Sequence, residues 1–91
     1  MSEFEWDKRK RESNLAKHGV DFEDVRPIFD GLTVETVDSR RDYGEVRIFY
    51  LGEVAGRVFL VVYTWRGQRR RIISARDANA RERRTYFANR S

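Results

Sequence analysis

The longest apolar run of the chain, Val58 to Tyr63, lies within RVFLVVYTWRGQRRRIISAR, residues 57 to 76, beside the densest cluster of arginines. Gly67 and Gln68 interrupt this stretch as a tight turn does, so it reads as two long antiparallel strands. Core and working surface are thus expected to share one hairpin. Upstream, Val46 to Val54 forms another strand, joined to the hairpin by a turn near Ala55 and Gly56. Leu32 to Val37 alternates Leu32, Val34 and Thr36 against Thr33, Glu35 and Val37 as an edge strand does, and the polar DSRRDYGE after it is a loop.

The ends of the chain follow a helical period instead. Phe4 to Trp6 is a short apolar lead, and Asp7 caps a helix running to about His18. Leu15 is the only large apolar residue of that helix, with Ala16 beside it, so a narrow stripe packs while Lys8, Arg9, Lys10 and Arg11 are solvated. Gly19 ends it, and Lys17 and His18 sit where the helix dipole favours cations. Phe22, Val25 and Phe29 then mark a second helix capped by Asp21 and stopped by Gly31, which Pro27 shortens or kinks. Asn79 to about Asn89 is a third, opened by a capping box of Asn79 and Glu82 and buried through Tyr86 and Phe87. The class is α+β: two N-terminal helices, a four-stranded antiparallel meander and a C-terminal helix, with the helices on one face of the sheet and the other face partly open.

At 91 residues, 1–91 is expected to be a single domain able to bury a modest core. The absence of cysteine removes thiolate chemistry, zinc-thiolate sites and disulfide scaffolds. The opening MSEFEWDKRKRES has no signal-type apolar region and no run is long enough to span a bilayer, so a soluble cytoplasmic protein with no membrane partner is expected.

Net charge is +4, but its distribution says more: residues 1–45 hold 8 Lys and Arg against 12 Asp and Glu, and residues 46–91 hold 11 against 3. Every cation of the basic half is arginine, whose planar fork grips phosphate and stacks on bases; an acidic protein partner accounts for the charge equally well.

The turns fix candidate registers. With two-residue turns at Gly67–Gln68 and Ala55–Gly56, Arg66 faces Arg69, Thr64 faces Arg71 and Arg47 faces Thr64. Glu45, Arg47, Thr64, Arg66, Arg69 and Arg71 then share one face as a phosphate cradle able to hold the scissile phosphate of RNA during attack by the adjacent 2′-hydroxyl, with no metal or cofactor. Glu45 serves as general base or, the better reading, neutralises Arg47. His18 is the only histidine, and helix capping explains it better than catalysis. No phosphate-binding glycine loop, nucleophile elbow or dinucleotide turn is present, and Asp38, Asp42 and Glu45 lack the spacing of a calcium loop. Tyr50, Tyr63 and Trp65 are read as core in preference to base-stacking platforms.

FEWDKRK, NLAKHGVDF, GEVR, VVYTWRG and RIISARDANARERRTY, in this order over nearly the whole chain, resemble the BrnT family of type II toxin-antitoxin toxins. The resemblance implies a RelE-like fold and a ribonuclease that cleaves RNA without metal. It also implies neutralisation by a BrnA-type antitoxin in a hetero-oligomer, with DNA reached only through the antitoxin. Carried over by position, the polar residues are Lys17 and His18, Glu45 and Arg47, Thr64 and Arg66, and Arg71, Ser74 and Arg76. Combined with the registers, this assigns Arg66, Arg76, Glu45 and His18 to catalysis and Lys17, Arg47, Thr64, Arg69, Arg71 and Ser74 to RNA binding. Strict strand alternation, however, puts Ser74 and Arg76 on the face opposite Arg66. The alternative function is a non-catalytic RNA- or partner-binding module, a degenerate toxin acting in repression with its antitoxin.

Overall fold

The computed structural model describes residues 4–31, 34–38 and 46–89, and for 35–38 the backbone alone. Leu32 and most of the expected loop, Glu45 included, lie outside the described residues. The elements are β1 (Phe4–Trp6), α1 (Lys8–His18), α2 (Phe22–Val25) continuing as a 3-10 turn (Arg26–Asp30), β2 (Val34–Asp38), β3 (Arg47–Val54), β4 (Arg57–Arg66), β5 (Arg69–Asp77) and α3 (Ala80–Asn89). Among the described residues no helix is long and apolar enough to cross a membrane.

β2 to β5 form the antiparallel meander that the pattern implies, but the sheet has five strands in the order β1-β5-β4-β3-β2 and is mixed. The apolar lead is its fifth strand, parallel to β5 with Phe4 beside Arg70, Glu5 beside Arg71 and Trp6 beside Ile72. Three residues are too few to display a period of two, so this pairing is decided by the open edge of β5 and by contacts of Phe4 with Phe29 and Trp6 with Phe22.

Where β1 stops, α1 takes over the edge. Asp7 caps it by accepting from the Arg9 and Lys10 amides at 2.8 and 3.2 Å, and Gly19 closes it with φ 69°. Leu15 is 47% exposed and Ala16 is exposed; the buried residue is Asn14. Its amide donates to Ala75 O at 2.7 Å and Val20 O at 2.9 Å and accepts from Ala75 N at 3.1 Å. The side chain thus supplies the donor and acceptor that a neighbouring strand would have supplied.

Asp21 caps α2 and is gripped by Arg11, which donates from Nε and Nη2 at 2.7 and 3.0 Å. The Arg11 hydrogen bonds hold the Asp21 carboxyl below its ordinary pKa. Pro27 falls at the start of the 3-10 turn, so the helix is short, as its sequence implies. That turn seats Ile28 directly on Gly52, where an added Cβ would stand 2.7 Å from Ile28 Cβ.

Alternate residues of the strands build two clusters. Val20, Phe22, Val25 and Ile28 pack on Ile48, Tyr50, Phe59, Val61, Tyr63, Ile72 and Ala75 on one face. Leu51, Val58, Leu60 and Tyr86 form the other, so α3 lies on the face opposite α2 instead of beside it, while α1 sits along the β5 edge. The chain leaves β5 through the capping box of Asn79 and Glu82, with both reciprocal bonds at 2.8 and 2.9 Å. Tyr86 is 2% exposed while Phe87, one residue round the helix, is 42% exposed.

Both turns hold the registers inferred from them: Val54 faces Arg57 across Ala55 and Gly56, and Arg66 faces Arg69 across Gly67, whose φ is 62°. The ladder is broken once. Tyr63 pairs with Ile72 but Val62 pairs with Ser74, so Ile73 is an extra residue in β5, a β-bulge.

Candidate active site

The bulge decides which arginines share a face. Arg69 and Arg71 face Arg66 and Thr64 on β4; beyond Ile73, Ser74 faces Val62 and Arg76 faces Leu60. Since Leu60, Val62, Thr64 and Arg66 alternate along one side of β4, Arg69, Arg71, Ser74 and Arg76 all lie on that side. Strict alternation assigns Ser74 and Arg76 to the other face, and the inserted residue reverses the parity. The face is that of α3, which covers only the end with Leu51, Val58 and Leu60.

Along this row the side chains differ in how they are held. Arg66 and Arg69 are exposed at the hairpin tip, and their guanidiniums make no ion pair with the described residues. Arg71 is half-buried and donates from Nη1 to Glu5 at 2.8 Å. Thr64 is 2% exposed and its hydroxyl donates to Val46 O at 2.6 Å, which fixes the start of β3 and leaves the hydroxyl turned inward. Arg47 is half-buried, opposite Thr64 by the register that pairs Ile48 with Tyr63. Glu45, the carboxylate expected in the cradle, is outside the described residues.

Arg76 is fixed most firmly. Its Nη1 and Nη2 donate to the two carboxylate oxygens of Glu82 at 2.8 and 2.9 Å, and Nη1 also donates to Asp77 O at 3.2 Å. The hydrogen bonds to Glu82 raise the pKa of Arg76 above its already high ordinary value. They lower that of Glu82, with help from the Asn79 amide. The pair is therefore fully ionised wherever the protein is folded near neutrality.

Lys17, His18 and Ser74 meet in a second locale. Together with Arg9, Lys10, Ser13, Asn14 and Ile73 they line a cleft of about 390 Å³ between α1 and β5. Ile73, the bulged residue, lines this cleft beside Ser74. His18 is half-buried at the end of α1, so the position that suits the helix dipole also faces the cleft. The structure thus unites Arg66, Arg69, Arg71, Ser74 and Arg76 in one row and Lys17, His18 and Ser74 in one cleft, with Ser74 common to both.

Two carboxylates, Glu5 and Glu82, were not legible as site residues. Glu82 carries a cap signature that fully accounts for it, and Glu5 reaches Arg71 only because β1 joins the sheet. Trp65 is 47% exposed and lies across from Arg70, whose guanidinium carbon is 4.7 Å from the indole centre and 4.8 Å from that of Phe29. Tyr50 and Tyr63 belong to the core.

Comparison with known proteins agrees with this architecture. The family described as ribonuclease toxin, BrnT, of type II toxin-antitoxin system matches residues 6–82. The crystal structure of the Brucella abortus ribonuclease toxin BrnT superposes with a TM-score of 0.67 at 29% identity, over 87% of this chain and 99% of that one. No curated protein matches by sequence. This chain therefore belongs to the BrnT family of ribonuclease toxins of type II toxin-antitoxin systems.

Proposed function

We propose that residues 1–91 act as one domain, a cytoplasmic endonuclease that cleaves RNA without metal and is neutralised by a BrnA-type antitoxin in a hetero-oligomer. The observation that carries this reading is the row of Arg66, Arg69, Arg71, Ser74 and Arg76 on one half-open face. Arginines so arranged bind successive phosphates and stabilise the charge that builds on the non-bridging oxygens of the one being attacked. The nucleophile belongs to the substrate: the 2′-oxygen bonds to phosphorus as the bond to the 5′-oxygen breaks. One proton leaves the 2′-hydroxyl and one is taken up by the departing oxygen. His18, at the cleft shared with Ser74, and Glu45 are the groups assigned to that transfer, with Arg66 and Arg76 as electrostatic catalysts. Lys17, Arg47, Arg69 and Arg71 hold the strand. Thr64 supports it by fixing the backbone at Val46, since its hydroxyl is already bonded there.

A second reading, RNA or partner binding without cleavage, is favoured by one observation: Arg71 and Arg76 are both tied to carboxylates. The purified protein, incubated with RNA in EDTA, separates the two. Cleavage, with growth arrest on induction that Arg66→Ala or Arg76→Ala abolishes in a folded protein, is the expected result. Salt-sensitive binding that leaves RNA intact overturns the nuclease assignment.

A further inference from the structure

The arginine–carboxylate pairs of this protein are not built alike. Arg11 meets Asp21 through Nε and Nη2, and Arg57 meets Asp77 through the same two nitrogens at 3.2 and 2.9 Å. In both, the side-on fork of the guanidinium is closed by the protein. Arg76 meets Glu82 end-on, through Nη1 and Nη2, and its remaining Nη1 hydrogen points to Asp77 O. What is left is the Nε–H and the outer Nη2–H, two parallel donors that form the side-on fork. They have no acceptor among the described residues, and 36% of the side chain is exposed. A fork of this kind matches two oxygens of a phosphate.

We propose that Glu82 is a positioning residue for RNA cleavage: it grips Arg76 from behind and leaves the side-on fork aimed at a phosphate of the substrate. The inference rests on the reading of Arg76 as a phosphate-binding residue. Glu82 is suited to this because the Asn79 amide, donating to its Oε1 at 2.9 Å, fixes the carboxylate in turn. The capping box therefore anchors α3 and orients Arg76 with the same side chain.

The test compares kcat and KM for cleavage of an RNA oligonucleotide by the wild type, Arg76→Lys, Glu82→Gln, their double mutant and Asn79→Ala, with thermal melts of each. Gln keeps the shape of Glu82 and its acceptor for the Asn79 amide but offers Arg76 a single oxygen. Glu82→Gln is expected to lower kcat on the order of tenfold or more while KM moves by less than about twofold. The double mutant should be no slower than Arg76→Lys. Asn79→Ala removes the acceptor of the Glu82 amide, lowering the melting temperature and leaving kcat in place. Wild-type kcat in Glu82→Gln beside a damaged Arg76→Lys overturns the role of Glu82 and leaves the arginine site standing. Full activity in Arg76→Lys overturns the underlying reading and this inference with it. Equal loss in Asn79→Ala and Glu82→Gln assigns the effect to helix capping and overturns it as well.

Discussion

The face of the sheet under α2 and its 3-10 turn and the face under α3 are made from alternate residues of the same strands, and they are finished differently. On the first, Phe22, Val25, Ile28, Val61, Ile72 and Ala75 are all at or below 1% exposure, and the aromatic rings of Phe29, Tyr50 and Tyr63 stand 4.4 to 5.7 Å apart. On the second, Tyr86 of α3 packs on Leu51, Val58 and Leu60, and the remaining length carries arginines among Phe49, Val62, Thr64 and Ser74. A small domain has apolar residues enough for one complete core and part of another. The uncovered part is where cations remain reachable, so the RNA binding proposed for this face is expected to be separable from the stability supplied by the other.

Substitutions should respect that division. The largest effect is expected at Asn14, which completes the edge beneath α1: Asn14→Ala removes three buried hydrogen bonds and leaves their backbone partners unpaired, a cost of about 3 kcal/mol in chemical denaturation. Next is Gly52→Ala, whose Cβ meets Ile28 Cβ at 2.7 Å, expected to cost about 2 kcal/mol. Adding Ile28→Val should not restore it, because the close atom is common to both side chains; recovery would mean that the turn slides freely over β3.

Arg66→Ala with Arg69→Ala reverses the pattern. Unfolding free energy should stay within about 0.5 kcal/mol, while RNA binding weakens and its dependence on log salt falls by about 1.4, the loss of two single-strand phosphate contacts. Destabilisation without a change in salt dependence would erase the distinction between the faces.

The smallest effect is in acid. Asp21 and Glu82 have folded-state pKa values below their unfolded ones, through Arg11 and Arg76 respectively. Stability from these pairs is complete above the unfolded carboxyl range, near pH 4, and is lost as pH falls through the lower folded values. Both are partly solvated, so each contributes only modestly. Asp21→Asn and Glu82→Gln should each flatten the decline of melting temperature below pH 4, and an unchanged acid limb in both would remove the pairs from the ledger.

Much of this was legible from residue order. Asp7, Gly19, Asp21, Asn79 with Glu82, and the two turns are local devices whose partners lie within four residues, and each formed where its chemistry demands. The strand registers followed from the turns, so Arg66 opposite Arg69 and Thr64 opposite Arg71 could be read in advance. The family, too, was visible in motifs spread over nearly the whole chain.

What residue order did not determine were the contacts closed over distance. β1 reads as a strand only beside β5, and Asn14 reads as a core residue only beside Ala75, 61 positions away. Choosing the face for α3 required knowing that α2 and the 3-10 turn fill the other. The bulge at Ile73 is the clearest instance: nothing in RIISAR marks the extra residue, because alternation is a rule about unbroken ladders and the break belongs to two strands at once. Sequence alone gave β5 its arginines, and only the tertiary pairing turned Ser74 and Arg76 to the side where Arg66, Arg69 and Arg71 already stood.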